Sequence, residues 1–101
     1  MVKASFCIRE DSASFCIRGH SGFGTEGDDI VCAAVSSAAY MAVNTVTEIL
    51  GVQGDSRVKD GYLQFKVCGS TAARDIIRGL QLHLTELSKD YPDYVTVTTE
   101  V

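Results

Sequence analysis

The sequence has no Cys-x-x-Cys pair, only one proline and fewer basic than acidic side chains. Nine Lys and Arg against thirteen Asp and Glu leave a formal net charge of −4. This charge argues against a nucleic-acid platform, because phosphate binding needs a basic stripe, but it leaves a basic peptide substrate open. A zinc centre built from Cys16, His20 and Cys32 would lack a fourth ligand, so the sequence predicts no metal and no other cofactor.

A long apolar run is also missing near the start of the chain, so we expect no secretory signal peptide. The more apolar stretch at 30–50 is interrupted by polar side chains, among them Ser36, Asn44 and Glu48, and is too polar for a lipid-exposed span. These observations predict a cytoplasmic protein without a membrane partner. In that reducing compartment the four cysteines are expected to carry no disulfide.

The length of 101 residues fits one small domain, residues 1–101, with a single core. Apolar and polar side chains alternate with period two at 2–9 and again at 13–18, which predicts a β-hairpin. Both strands contain the hexapeptide Ala-Ser-Phe-Cys-Ile-Arg. This repeat fits either a local duplication or two strands with matching requirements.

The later pattern predicts an α+β fold, an antiparallel sheet of about five strands with two helices in the order β-β-α-β-β-α-β. Helices on one face would be the simplest packing. The further predicted elements are a helix at 30–50, strands at 52–58 and 62–67, a helix from Ser70 or Thr71 to just before Pro92, and a strand at 95–101.

The residues that carry chemistry are His20 and Cys32. Asp29 is a good N-cap, which places Cys32 in the first turn of the helix, where the helix dipole favours a thiolate. Nearby acidic groups oppose this, and a cationic His20 beside the sulfur would counteract them. Continued past Arg18, period two puts His20 on the polar face of the hairpin, provided that the strand stays regular.

A thiol beside a base is the arrangement of a cysteine nucleophile, with His20 as general base and then general acid. The backbone N–H of Cys32 and a loop N–H are candidate oxyanion donors. Asp29 either caps the helix, and then occupies one first-turn N–H, or orients His20; the sequence leaves both open. Ser36 lies one helical turn beyond Cys32 and supports the site through a hydrogen bond to the sulfur or substrate. The other histidine, His83, adjoins no cysteine and is interpreted as a half-buried helix residue.

A glycine-rich segment separates the two reactive residues, with Gly22, Gly24 and Gly27 in it. It has no Gly-x-x-x-x-Gly-Lys pattern, so a phosphate-binding loop is disfavoured. We expect residues 21–28 to be mobile and to close over a bound peptide. The segment and the residue after it also contain three acids, Glu26, Asp28 and Asp29. These acids fit two interpretations, a binding site for a basic substrate and an ordinary solvated loop.

The pattern Gly-His-Ser-Gly-Phe followed by Gly-Asp-Asp-Ile-Val-Cys-Ala-Ala-Val-Ser resembles the ribosomal-processing cysteine protease family. The resemblance implies catalytic roles for His20 and Cys32 and supporting roles for Asp29 and Ser36. It also implies a homodimer whose substrate is the precursor of ribosomal protein L twenty-seven, cut after an aromatic pair in a short amino-terminal extension. Two other interpretations stay open: a non-enzymatic ribosome-assembly adapter, and a thiol acyltransferase that uses the same pair.

Overall fold

The structure is a computed structural model that describes residues 1–20, 22 and 29–100. Its element order, β-β-α-β-β-α-β, is the predicted one. A short π-helical turn continues the first helix. The elements are β1 (Val2–Ile8), β2 (Ser12–Arg18), α1 (Ile30–Asn44), the π-helical turn (Thr45–Ile49), β3 (Asp55–Lys59), β4 (Tyr62–Cys68), α2 (Thr71–Asp90) and β5 (Val95–Glu100).

The strands form one five-stranded sheet in the order β3-β4-β2-β1-β5. Three pairings are antiparallel, but β5 pairs parallel with β1, from Val2 opposite Val95 to Cys7 opposite Glu100. The α+β class is therefore confirmed, and the sheet is mixed where a wholly antiparallel one was predicted. The reason is topological, since α2 carries the chain back across the sheet and the next strand then runs in the same direction as β4 and β1.

Both helices contribute to one core on a single face of the sheet. Three phenylalanines, Phe6, Phe15 and Phe65, lie opposite one another on β1, β2 and β4, with ring centroids 5.8 and 6.1 Å apart. The buried positions of α1 and α2 belong to the same cluster. Because successive strand residues point to opposite faces, the other face of the sheet is rich in polar side chains, and no helix of the described residues packs on it. We call it the open face of the sheet.

The first helix begins where the sequence predicts and changes geometry near its end. The hydroxyl of Thr45 donates to the backbone oxygen of Met41, and the Leu50 N–H donates to Thr45, five residues earlier. Hydroxyl back-bonding of this kind loosens a regular α-helix. Gly51, at φ +67°, then ends it. The prediction that this stretch is too polar to span a membrane is wrong by length and composition, since residues Ile30–Ile49 form a helix long enough to cross one, with a mean hydropathy of 1.5. The core helix of a soluble protein passes the same test.

The third strand is shorter than predicted and begins later, at Asp55 rather than Val52. The N–H of Val52 still donates to the backbone oxygen of Val46, and the Val52 side chain packs against the core. The chain reaches the sheet edge only after Gln53 and Gly54. The start of the strand was thus wrongly predicted at Val52, which is hydrogen-bonded to the end of the helix.

Candidate active site

His20 and Cys32 meet at one end of the sheet, where β2 ends and α1 begins. The Nδ1 atom of His20 lies 3.9 Å from the Sγ atom of Cys32. The histidine side chain is 55% exposed, and the cysteine is half-buried. A thiol and an imidazole nitrogen at this separation need only a small adjustment for proton transfer, and such contacts commonly tighten when substrate binds.

The predicted face of His20 is wrong, and Gly19 is the reason. Gly19 has φ +91°, a left-handed conformation that ends the period-two alternation of β2. Its N–H donates to the backbone oxygen of Gly61 at 2.8 Å. The chain therefore turns towards the helices, and His20 lies beside Cys32 instead of beside Cys16 on the open face of the sheet.

The second ring nitrogen of His20 faces an acidic residue that the sequence analysis missed. The Nε2 atom lies 4.0 Å from the Oδ2 atom of Asp60, in the turn between β3 and β4. The next residue, Gly61, has φ +65°, and a Cβ atom there would lie 3.0 Å from His20 Nε2. The segment Lys59-Asp60-Gly61 had signalled only a turn, because nothing in its sequence indicates that this turn lies against the end of β2.

Asp29 is the N-cap of α1, as one of the two open interpretations required. Its Oδ1 atom accepts a hydrogen bond from the backbone N–H of Cys32 at 2.9 Å. Because that N–H is engaged by the cap, it is not available to an oxyanion in this conformation. The hydrogen bond instead holds the first turn of the helix, and with it the sulfur, at a defined position.

A cleft of about 240 Å³ adjoins the two reactive side chains. Its lining includes Ser36, which confirms that this residue shares the Cys32 side of α1. The rest of the lining is mainly apolar on the core side and polar at the β3–β4 turn. The apolar and aromatic lining residues are Ile17, Val35, Ala39, Tyr40, Tyr62 and Leu63.

The other cysteines and the second histidine lie elsewhere. All four cysteines are free thiols. Cys16 is on the open face of the sheet, so it does not converge with His20 and Cys32, and the described part of the chain contains no cluster of metal-ligating side chains. His83 is exposed on α2 rather than half-buried as predicted.

The structure describes only one residue, Gly22, of the segment 21–28 that was predicted to be mobile. Gly22 is described and has φ +75°, as expected of a loop glycine. Four other residues of the segment lie outside the described residues, and their roles stay predictions; they are Gly24, Glu26, Gly27 and Asp28.

Removal of the Asp29 cap should affect both stability and catalysis. We expect Asp29→Ala to cost about 1 kcal/mol of unfolding free energy, as losing a helix cap does, and to lower turnover because the first turn carries the sulfur. Ser70 provides a matched control, since it caps α2 through the Ala73 N–H at 3.1 Å, at the opposite end of the sheet. Ser70→Ala should lower the melting temperature similarly and leave turnover unchanged. Equal turnover in the two variants would show that Asp29 acts on stability alone.

Comparison with known proteins identifies the family of this chain. A family model described as cysteine protease Prp matches residues 1–96. The ribosomal processing cysteine protease Prp of Bacillus subtilis strain 168 is 32% identical over 111 residues, a match that covers 100% of this chain and 99% of that protein.

Solved structures share the fold. The essential ribosomal processing protease Prp from S. aureus, in complex with a covalently linked product peptide, matches with a TM-score of 0.92 at 19% identity, covering 99% of this chain and 100% of that one. SMU.848 from Streptococcus mutans matches with a TM-score of 0.72 at 27% identity, covering 98% and 93%. The family match spans nearly the whole chain, including the positions of His20 and Cys32, so this chain belongs to the Prp family of ribosomal-processing cysteine proteases.

Proposed function

We propose that Cys32 and His20 are the catalytic dyad of this protease and that its substrate is the precursor of ribosomal protein L twenty-seven. The observation that carries the dyad is the 3.9 Å approach of His20 Nδ1 to Cys32 Sγ at the mouth of a cleft. Asp29 and Ser36 support the pair, the first by capping the helix and the second from the cleft lining.

In this mechanism the Cys32 thiol gives its proton to His20 Nδ1, and the sulfur attacks the carbonyl carbon of the scissile peptide bond. The C–N bond then breaks as His20 returns the proton to the leaving amine, and a thioester forms on Cys32. Water, deprotonated by the same nitrogen, hydrolyses the thioester and regenerates the thiol. Because the Cys32 N–H is held by Asp29, the oxyanion requires either another donor or release of the cap when substrate binds.

The substrate assignment rests on the cleft and on the family. The cleft of about 240 Å³ beside the sulfur has an apolar wall on its core side, which is suited to an aromatic side chain next to the scissile bond. The relative from Bacillus subtilis is a ribosomal processing protease, which supports a ribosomal protein as the substrate here. The acidic residues Glu26, Asp28 and Asp29 would favour basic residues in the substrate after the cleaved bond.

Incubation with a precursor of L twenty-seven that carries its amino-terminal extension tests the substrate. We expect one cleavage after the aromatic pair, identified by mass spectrometry of both products. A precursor with both aromatic residues changed to alanine should stay intact. Cleavage of both precursors at equal rates, or of neither, would contradict the assignment.

A non-enzymatic adapter and a thiol acyltransferase remain the alternatives to test against. Alkylation by iodoacetamide separates the first, since a reactive nucleophile at Cys32 would be modified faster than the thiols of Cys7, Cys16 and Cys68. Product analysis separates the second, since a transferase would leave the acyl group on an added amine or thiol, whereas a protease leaves a free carboxylate.

Asp60 is proposed as a positioning residue for His20, because it faces the ring nitrogen opposite the one beside the sulfur. The pair is exposed, so the expected effect is small: Asp60→Asn should lower kcat about threefold with KM unchanged. High salt should shrink this difference, because exposed charges are screened. Asp55→Asn, the same change on exposed β3, is the control. A kcat loss that does not depend on salt would indicate a structural role for the Asp60 turn instead.

The homodimer and the cytoplasmic location are also proposals. Exposed apolar side chains on the helices, including Met41 at 64% and Leu82 at 64%, offer a surface for a second copy. Sedimentation equilibrium should give twice the mass of 10.9 kDa, and Met41→Glu should shift it towards the monomer. Cell fractionation should recover the protein in the cytoplasmic fraction and not with membranes.

A further inference from the structure

The net charge of −4 is unevenly distributed between the two sides of the molecule. Among the residues that the structure describes, register and alternation place five cationic side chains and two acids on the open face of the sheet. This face is therefore net positive by three charges, although the whole chain has a net charge of −4. The cations are Lys3, Arg18, Arg57, Lys59 and Lys66, and the acids are Asp55 and Glu100.

Three of these cations and the aromatic Tyr62 form a row across four adjacent strands. Lys3 on β1 pairs with Arg18 on β2, Arg18 pairs with Tyr62 on β4, and Tyr62 pairs with Lys59 on β3. Three strand spacings separate the ends of the row, about 14 Å. Arg57 lies in the next row on the same face, beside Gln64. The row is thus a basic stripe, the feature that the composition of the whole chain argued against.

The cations of this face are available to a ligand. All five residues are exposed. Among residues 1–20, 22 and 29–100, none of them forms a salt bridge; the three pairs present involve His20, Arg78 and Lys89. Exposed cations that lie in a row without acidic partners create a local positive potential, which attracts polyanions even when the whole protein is acidic.

An aromatic ring lies within the row. The hydroxyl of Tyr62 donates to the Oε1 atom of Gln64 at 3.1 Å, and it shares a side-chain hydrogen bond with Cys16 on the neighbouring strand. The second of these contacts raises the pKa of Tyr62. Since both partners lie on the open face, the Tyr62 hydroxyl lies on that face too, and in the row Tyr62 stands between Arg18 and Lys59.

From this arrangement we infer that the open face of the sheet binds single-stranded RNA, with phosphates at the cationic row and a base stacked on Tyr62. A sheet face that carries cations around an aromatic ring is suited to single-stranded RNA, whose unstacked bases are free to lie on the ring. An acidic peptide would use the cations but would gain little from Tyr62. The surface is on the opposite side of the sheet from the helices, and it adjoins the cleft beside Cys32 where Lys59 and Tyr62 line both.

Fluorescence anisotropy with a labelled single-stranded RNA dodecamer tests the inference, without any cleavage assay and so independently of the proposed function. We expect a micromolar Kd at low salt, the range of non-specific binding, that weakens steeply as salt is added. Arg18→Gln combined with Arg57→Gln should weaken binding about tenfold or more. The control is Arg78→Gln with Lys89→Gln, the same charge change on α2, which should stay within about twofold of the wild-type Kd.

Tyr62 variants separate stacking from charge. Tyr62→Phe should retain binding, and Tyr62→Leu should weaken it about fivefold or more, since stacking tolerates loss of the hydroxyl but not of the ring. Thermal melts of every variant check that the fold is intact. Equal losses in the two charge pairs, equal binding by Tyr62→Phe and Tyr62→Leu, or competition by polyglutamate as strong as by unlabelled RNA would overturn the inference; the last result would identify a surface for acidic polypeptides.

Discussion

Replacing Cys32 by alanine or by serine is expected to lower cleavage of the precursor by at least about a thousandfold. The sulfur is the atom that forms the thioester, and a serine hydroxyl beside the same imidazole is a much weaker nucleophile than a thiol. The fold should be unaffected because Cys32 is only half-buried and its backbone N–H still reaches Asp29. Single-turnover rates and melting temperatures of the purified variants measure the two effects separately.

The other thiols provide the control for this prediction. Cys7→Ser, Cys16→Ser and Cys68→Ser remove cysteines from the open face of the sheet and should retain most of the activity. If Cys32→Ala cleaved the precursor at the wild-type rate, the nucleophile would have to be a different group. If one of the three open-face variants were as inactive as Cys32→Ala, the assignment of a single reactive thiol would be wrong.

Replacing His20 by alanine should lower turnover by about a hundredfold or more, the range for loss of a general acid–base group. The same variant should also slow alkylation of Cys32 near neutral pH, because the sulfur loses the imidazole at 3.9 Å that accepts its proton. The matched control is His83→Ala, which removes the other histidine from an exposed position on α2. Comparable losses of turnover in the two variants would contradict the dyad.

The predictable part of the fold depended on local patterns. Alternation in residues 2–9 and 13–18 predicted β1 and β2 to within one residue at each end, and the Asp29 and Ser70 caps mark where α1 and α2 begin. Such signals are carried by residues that are near neighbours in the chain, so the sequence displays them directly. The start of β3 and the parallel pairing of β5 were not predicted. Both depend on where the chain, at the end of a helix, returns to the sheet, and this position is not a local property of the sequence.

The candidate site divides in the same way. His20 and Cys32 were identified from their residue types and their glycine-rich surroundings, and Ser36 from helical spacing. The acidic partner of the histidine was not, because Asp60 lies forty residues further along the chain and reaches His20 only through the contact of Gly19 with Gly61. A turn that is unremarkable as a sequence becomes part of the site when β4 pairs with β2.

By itself, the sequence determined the family of this protein and the candidates for its chemistry, a thiol at a helix N-terminus and a histidine after a strand. The tertiary structure alone decided which face of the sheet receives His20, which carboxylate lies beside it, and where the charges of a net acidic chain accumulate. The physical reason is that residue type and local periodicity are properties of neighbours in the chain. A reversal at a single positive-φ glycine, or the register between distant strands, depends on contacts that form only when the sheet assembles.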